Sequence, residues 1–254
     1  MLYSEQQGNP QGQPLVLLHG WGMHSGVWCT LLPELQRDFH ITLIDLPGLG
    51  RSAETLPDDY NLASVTQLLA EVAPASAVWL GWSLGGIISM TFAQRYPDRV
   101  SGLITLGTSP CFVERPDWCF GMDEATYRQF EDDLAANPAK TLQRFNMLQT
   151  QGSDTARADL KSLKQILSEV APPQQALVDS LALLREDYRG LYSSTEHATL
   201  HLLCDQDILA PAAMADELAL LQPQAGIAVL ADQSHIGFLS APQKLAEKIR
   251  TFSL

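Results

Sequence analysis

The sequence predicts an α/β chain, a mainly parallel central sheet flanked by helices and interrupted by one helical insertion. Three observations predict it. Short apolar runs alternate with helix-like stretches through the first half. After Pro110 that rhythm gives way to a strand-poor, helical texture lasting to about Arg189. Beyond it, two more apolar runs and a closing helical stretch bring the rhythm back. Short, continuously apolar strands separated by helices are those of a sheet covered on both faces.

Taken in order, the residues before Pro14 read as a polar leader. Residues 15–18 form the first apolar run and end at His19-Gly20. The second run, 41–44, closes on Asp45, and the third, 77–80, closes on Gly81. Residues 84–95 have the length and composition of a helix, with Pro97 close behind to stop it. A fourth run, 103–106, ends at Gly107. Asn137-Pro138, Gln151-Gly152 and Pro172-Pro173 punctuate the insertion. Residues 199–204 and 226–230 read as two further strands, and 239–252 as a final helix. The expected division is a core over 1–110, a helical cap or lid over 111–190, and the rest of the core over 191–254. A separate second domain is the alternative.

The chain has 254 residues, 46% of them hydrophobic, enough for one sizeable core. Its 29 acids against 16 bases give a net charge of −13, which disfavours nucleic acid and anionic membrane as partners. No basic stretch leads into an apolar one at the N-terminus, and no run approaches the roughly 18 apolar residues of a membrane span. A cytoplasmic protein is expected. Cys29, Cys111, Cys119 and Cys204 are scattered without a metal-ligand spacing and read as thiols. Neither metal nor cofactor is called for.

The strongest chemical signal is Gly81-Trp82-Ser83-Leu84-Gly85, with Gly86 behind it. It fits G-x-S-x-G, and its setting matters more than its letters: a strand ends just before it and a helix starts just after. A serine on so tight a turn projects its hydroxyl from the sheet edge, which marks Ser83 as a nucleophile. The helix start supplies free N–H groups for the negative charge of an acyl-transfer intermediate. The plain alternative is a glycine-rich turn. Leu17-Leu18-His19-Gly20-Trp21-Gly22 ends the first strand and can bring a second N–H beside Ser83. The amides of Trp21 and Leu84 are the expected oxyanion donors, with the Trp21 ring at the pocket mouth or simply packing its loop. His19 is expected to shape that loop rather than act as base.

A serine needs a base. Of six histidines, only His235 follows the last strand, where this fold places the base. The acid that orients it should follow an earlier strand. Asp207 and Asp205 both qualify, in Cys204-Asp205-Gln206-Asp207-Ile208-Leu209-Ala210-Pro211, with Asp207 preferred. The acid left over is then a turn cap.

These motifs resemble those of the proteobacterial pimeloyl-[acyl-carrier protein] methyl ester esterases of biotin synthesis, members of the α/β-hydrolase superfamily. The likeness runs over nearly the whole chain. It rests on Val16-Leu17-Leu18-His19-Gly20-Trp21-Gly22, Asp45-Leu46-Pro47-Gly48-Leu49-Gly50-Arg51-Ser52 and Trp79-Leu80-Gly81-Trp82-Ser83-Leu84-Gly85-Gly86. Ser109-Pro110-Cys111-Phe112 and Leu148-Gln149-Thr150 extend it. The resemblance implies the α/β-hydrolase fold, Ser83 as nucleophile, His235 as base, Asp207 as acid, and Trp21 and Leu84 as oxyanion residues. It implies a metal-free, monomeric enzyme that hydrolyses the methyl ester of pimeloyl carried on acyl-carrier protein. The loop Ser234-His235-Ile236-Gly237-Phe238 departs from the family pattern, which has alanine and proline around the histidine.

The window 140–164 holds Lys140, Arg144, Arg157, Lys161 and Lys164 against Asp154 and Asp159 only. Spacings of three and four put each set on one helix face. Two ordinary solvated faces would look the same. The resemblance places Lys140, Arg144, Arg157 and Lys161 where the family has four arginines that bind its acidic carrier. Phe130, Leu142, Phe145, Met147 and Leu148 are expected to wall an acyl-chain pocket, although helix packing alone accounts for such residues. A general carboxylesterase or thioesterase is the near rival. A non-catalytic binding protein of the same fold is the distant one.

Overall fold

The computed structural model describes residues 1–168 and 171–253. One sheet runs β1 (Ser4–Gly8), β2 (Gln13–Leu18), β3 (Phe39–Ile44), β4 (Ala77–Trp82), β5 (Val100–Leu106), β6 (Thr199–Cys204) and β7 (Gly226–Leu230). Their spatial order is β1-β3-β2-β4-β5-β6-β7. The helices are α1 (Leu32–Leu35), α2 (Leu62–Val72), α3 (Leu84–Arg95), α4 (Glu124–Ala136), α5 (Pro138–Thr150), α6 (Ala156–Leu167), α7 (Gln174–Ala182), α8 (Arg189–Ser193), α9 (Ala215–Leu221) and α10 (Pro242–Ser253).

Every pairing from β2 to β7 is parallel. β4 is buried at all its positions, as a central strand covered on both faces must be. Trp79 stacks on Phe92 of α3 at 4.0 Å, and α3 is buried almost end to end. The stretch expected as a polar leader is corrected: it contains β1, antiparallel to β3. Ser4 to Gly8 has no apolar residue and alternates exposed with half-buried, so it leaves no hydrophobic signal of an edge strand. The expected final helix is also divided. A 3-10 turn, Gly237–Leu239, precedes α10, and Pro242 starts that helix.

Helices α4 to α8 all fall between β5 and β6, after an irregular stretch carrying the bridges Val113–Met122 and Arg115–Trp118. Because six strands run parallel, their C-terminal ends gather at one edge of the sheet. The register fixes which loops meet there. Leu18 lies opposite Gly81, Trp82 opposite Leu106, and Cys204 opposite Leu230. No described helix is long and apolar enough to cross a membrane.

Candidate active site

Ser83 occupies the turn between β4 and α3 with φ 56° and ψ −119°, a strained backbone for a residue with a Cβ. Its N–H donates to Leu106 O at 2.9 Å, and its carbonyl accepts from Gly86 N–H at 2.9 Å. The flanking glycines permit this turn. A Cβ on Gly81 would lie 2.1 Å from Gly85 O, and one on Gly85 would lie 2.6 Å from the carbonyls of Leu18 and His19.

The loop after β2 rests directly on the turn, since a Cβ on Gly20 would sit 3.2 Å from Ser83 Cβ. Trp21 and Leu84 therefore flank Ser83, and neither N–H is bonded to a backbone carbonyl among the described residues. His19 holds the loop's shape. Its Nε2 accepts from Leu46 N–H at 2.9 Å, so its Nδ1–H donates to Gly20 O at 2.9 Å. Burial pushes its pKa down to about 4, leaving it neutral. Asp45, in the Asp-Leu-Pro-Gly motif, is structural too, accepting from Ser25 N–H at 2.7 Å and Arg51 N–H at 2.8 Å.

The Trp21 ring is corrected to an inner position. It is buried, donates from Nε1 to Leu177 O at 3.0 Å, and meets Phe130 and Phe145 edge-on. It supports the pocket wall instead of lining the mouth.

His235 follows β7, and its Nδ1 lies 2.7 Å from Asp207 Oδ2. The other oxygen, Asp207 Oδ1, accepts from the N–H groups of Leu209 (2.8 Å) and Ala210 (3.0 Å). That carboxylate is an acceptor at both oxygens, so Nδ1 of the ring donates and Nε2 is left to accept. Nε2 is buried with no hydrogen-bond partner among the described residues. Asp205 is exposed and instead accepts from Gln233 N–H at 3.1 Å, bracing the same loop. Gly107 lets the pair sit close to β5, since a Cβ there would fall 3.1 Å from both Asp207 Oδ2 and His235 Nδ1.

Trp82 was not assigned a role from sequence, yet its indole N–H donates to His235 O at 3.0 Å and its ring lies 5.4 Å from the imidazole. It ties the serine turn to the histidine loop. The tryptophan before the serine was the only sequence signal of it.

Ser83 opens into a cavity of about 230 Å³ whose walls include Phe130, Phe145 and Leu148 from α4 and α5, and Ile208 and Leu209 beside Asp207. No charged side chain among the described residues lines it. Leu142 and Met147 are corrected. Leu142 turns to a separate groove beside Gly22, and Met147 is exposed. Met147 is rotated about 100° or more around α5 from Phe145 and Leu148, whereas Leu142, one turn before Phe145, borders both faces and packs toward Gly22.

Lys140 and Arg144 are exposed on α5, and Arg157 and Lys161 on α6, the helix packed beside it. Arg144 is paired with Asp133 at 2.7 Å. Asp159 is turned inward, only 2% exposed, so it does not dilute the positive outer face of α6. No group of three or more His, Cys, Asp or Glu among the described residues is placed to hold a metal ion.

The α/β hydrolase fold family matches residues 13–242. Pimeloyl-[acyl-carrier protein] methyl ester esterases from Edwardsiella ictaluri and Vibrio campbellii are 37% and 38% identical to this chain. The alignments cover 94% and 96% of it, and 92% and 95% of those proteins. The chain belongs to this esterase family. Its members are carboxylic ester hydrolases, and the fold agrees. An esterase from Exiguobacterium antarcticum superposes with a TM-score of 0.87 at 21% identity, covering 99% of this chain and 95% of that one. A bromoperoxidase from Bacillus anthracis gives the same score and identity over 99% and 94%. At that identity the likeness speaks for the fold alone.

Proposed function

We propose that this esterase hydrolyses the methyl ester of pimeloyl bound to acyl-carrier protein, giving pimeloyl-carrier and methanol in biotin synthesis. The observation that carries the chemistry is the Asp207–His235 contact, which leaves Nε2 as an acceptor at the edge that holds Ser83. Family membership carries the substrate.

In this reading His235 Nε2 takes the Ser83 proton as Oγ attacks the ester carbonyl. The Trp21 and Leu84 amides receive the oxyanion, an interaction of which each donor typically contributes about 3 kcal/mol. His235 then protonates the departing methoxide. Water, activated by the same ring, attacks the acyl-enzyme and restores Ser83. Asp207 holds the tautomer and stays ionised throughout.

The segment 111–190 acts as the cap. Phe145 and Leu148 line the acyl chain, and the uncharged cavity suits a methyl ester better than the free carboxylate it becomes. Lys140, Arg144, Arg157 and Lys161 steer the acidic carrier to the cavity, the two lysines without the bidentate fork of arginine. The enzyme needs no metal or cofactor in this scheme.

Complementation of a bacterial strain lacking its biotin esterase tests the proposal. Growth without biotin should be restored by the parent gene and not by Ser83→Ala. Rescue by neither rules out the pathway, and rescue by both rules out the nucleophile.

A further inference from the structure

Helix α6 is fastened at both ends to the loops that flank Ser83. At its start, Thr155 Oγ1 donates to Asp159 Oδ2 at 2.7 Å, and Ser240 Oγ lies 3.3 Å from the same oxygen and 3.1 Å from Thr155 Oγ1. Ser240 closes the turn that follows His235: Gly237 N–H donates to Ser234 O at 3.0 Å, and Ser240 N–H to Gly237 O at 3.2 Å. At the other end, His24 Nδ1 accepts from Gly26 N–H at 3.1 Å, so its Nε2–H donates to Ile166 O at 3.2 Å. His24 belongs to the loop of Trp21, and α6 touches both 3-10 turns that extend these loops.

Asp159 is an unusual choice for that inner face. No cation pairs with it among the described residues, and burial raises its pKa. Beside it Leu163 is fully buried, so an apolar residue would satisfy packing alone. A carboxylate there adds direction, gathering two hydroxyls from two segments at one oxygen. The outer face of the same helix carries Arg157, Lys161 and Lys164, all exposed.

We propose that α6 is a strap that positions the His235 and Trp21 loops, with Asp159 and His24 as its two fasteners, so that a partner docking on its outer face promotes turnover. The second half rests on the carrier-docking reading above; the first does not. Asp159 and His24 are positioning residues, since neither touches the reacting atoms.

Hydrolysis of p-nitrophenyl butyrate by the full chain needs no carrier and reads the strap directly. Asp159→Ala should lower kcat about tenfold with KM held within about twofold, the pattern of a misplaced catalytic group. Asp159→Asn keeps an acceptor oxygen and should recover to within about threefold of the parent. Ser240→Ala should lower kcat, and adding it to Asp159→Ala should bring no further loss, because both remove the same link. An unchanged kcat in Asp159→Ala, equal losses in Asn and Ala, or independent losses in the double variant would overturn the strap. Should Asp159→Ala not fold, Asp159→Asn and Ser240→Ala decide: parent-like kcat in Ser240→Ala overturns it.

Apo-acyl-carrier protein lacks the phosphopantetheine arm and leaves the cavity open. Its addition should raise kcat on the same ester in the parent and not in Asp159→Ala. Calorimetric binding without stimulation overturns the coupling. Absence of binding overturns the docking reading instead, leaving the strap to be judged on the variants.

Discussion

Asp207 engages both of its oxygens, and that geometry favours it over Asp205 as the acid where chain position alone left both open. Two aspartates follow β6, and sequence order suits either. The difference lies in burial and direction: Asp207 faces His235, while Asp205 caps the Gln233 amide from the surface. Asp207→Asn should keep its carbonyl oxygen on the Leu209 and Ala210 amides and turn its NH₂ toward His235 Nδ1. The ring must then carry its proton on Nε2, the wrong tautomer for a base. A fall in kcat of roughly 10⁴-fold with an unchanged melting temperature is the expected result, read by ester hydrolysis and thermal unfolding. Trp82→Phe removes the donor to His235 O and leaves a buried carbonyl unpaired. Urea unfolding should show a loss of about 1–3 kcal/mol, accompanied by a lower kcat. The role of Trp82 was hidden in the sequence because it depends on an indole reaching a carbonyl 153 residues away.

At the scale of elements, the motifs at strand ends were the legible part. β6, β7 and helix α3 match their expected bounds: polar residues close both strands, at Asp205 and Asp232, and Pro97 follows α3. β1 was not legible: an edge strand of Ser, Glu, Gln and Gly has no hydrophobic period. Composition named five apolar candidates for the pocket across α4 and α5, and only packing in the fold separates Phe145 and Leu148 from Leu142 and Met147. The basic faces of α5 and α6 carry their own prediction. Arg144→Glu with Arg157→Glu should raise KM for the carrier-bound ester about tenfold or more and leave a small soluble ester within about twofold. Steady-state kinetics on both substrates checks it. Equal losses on the two would count against a docking surface.

The whole molecule depends on neutral histidines in its interior. His19 and His201 are buried, and burial pushes each pKa down to about 4 from an ordinary value of 6.5. His201 is locked between Thr105 Oγ1 at 2.7 Å and Gln222 Oε1 at 3.0 Å. Between pH about 6.5 and about 4 the unfolded chain binds more protons than the folded one, so stability falls as pH falls through that window. Urea midpoints measured from neutral pH down to pH about 4.5 should decline steadily, starting near the pKa of free histidine. A flat profile there would mean that these rings are protonated in the fold. The sequence pointed to His19 as the shaper of its loop, but not to the depth of its burial, and showed His201 as one position of a strand.

Intact-protein mass spectrometry of acyl-carrier protein loaded with methyl pimeloyl offers the most direct test of the central claim. With the parent enzyme, the carrier-bound methyl ester should convert to the free acid while the thioester to the carrier stays whole. Ser83→Ala, folded and at the same concentration, should leave the ester intact. Conversion by Ser83→Ala at the parent's rate, or cleavage of the thioester in place of the methyl ester, would contradict it.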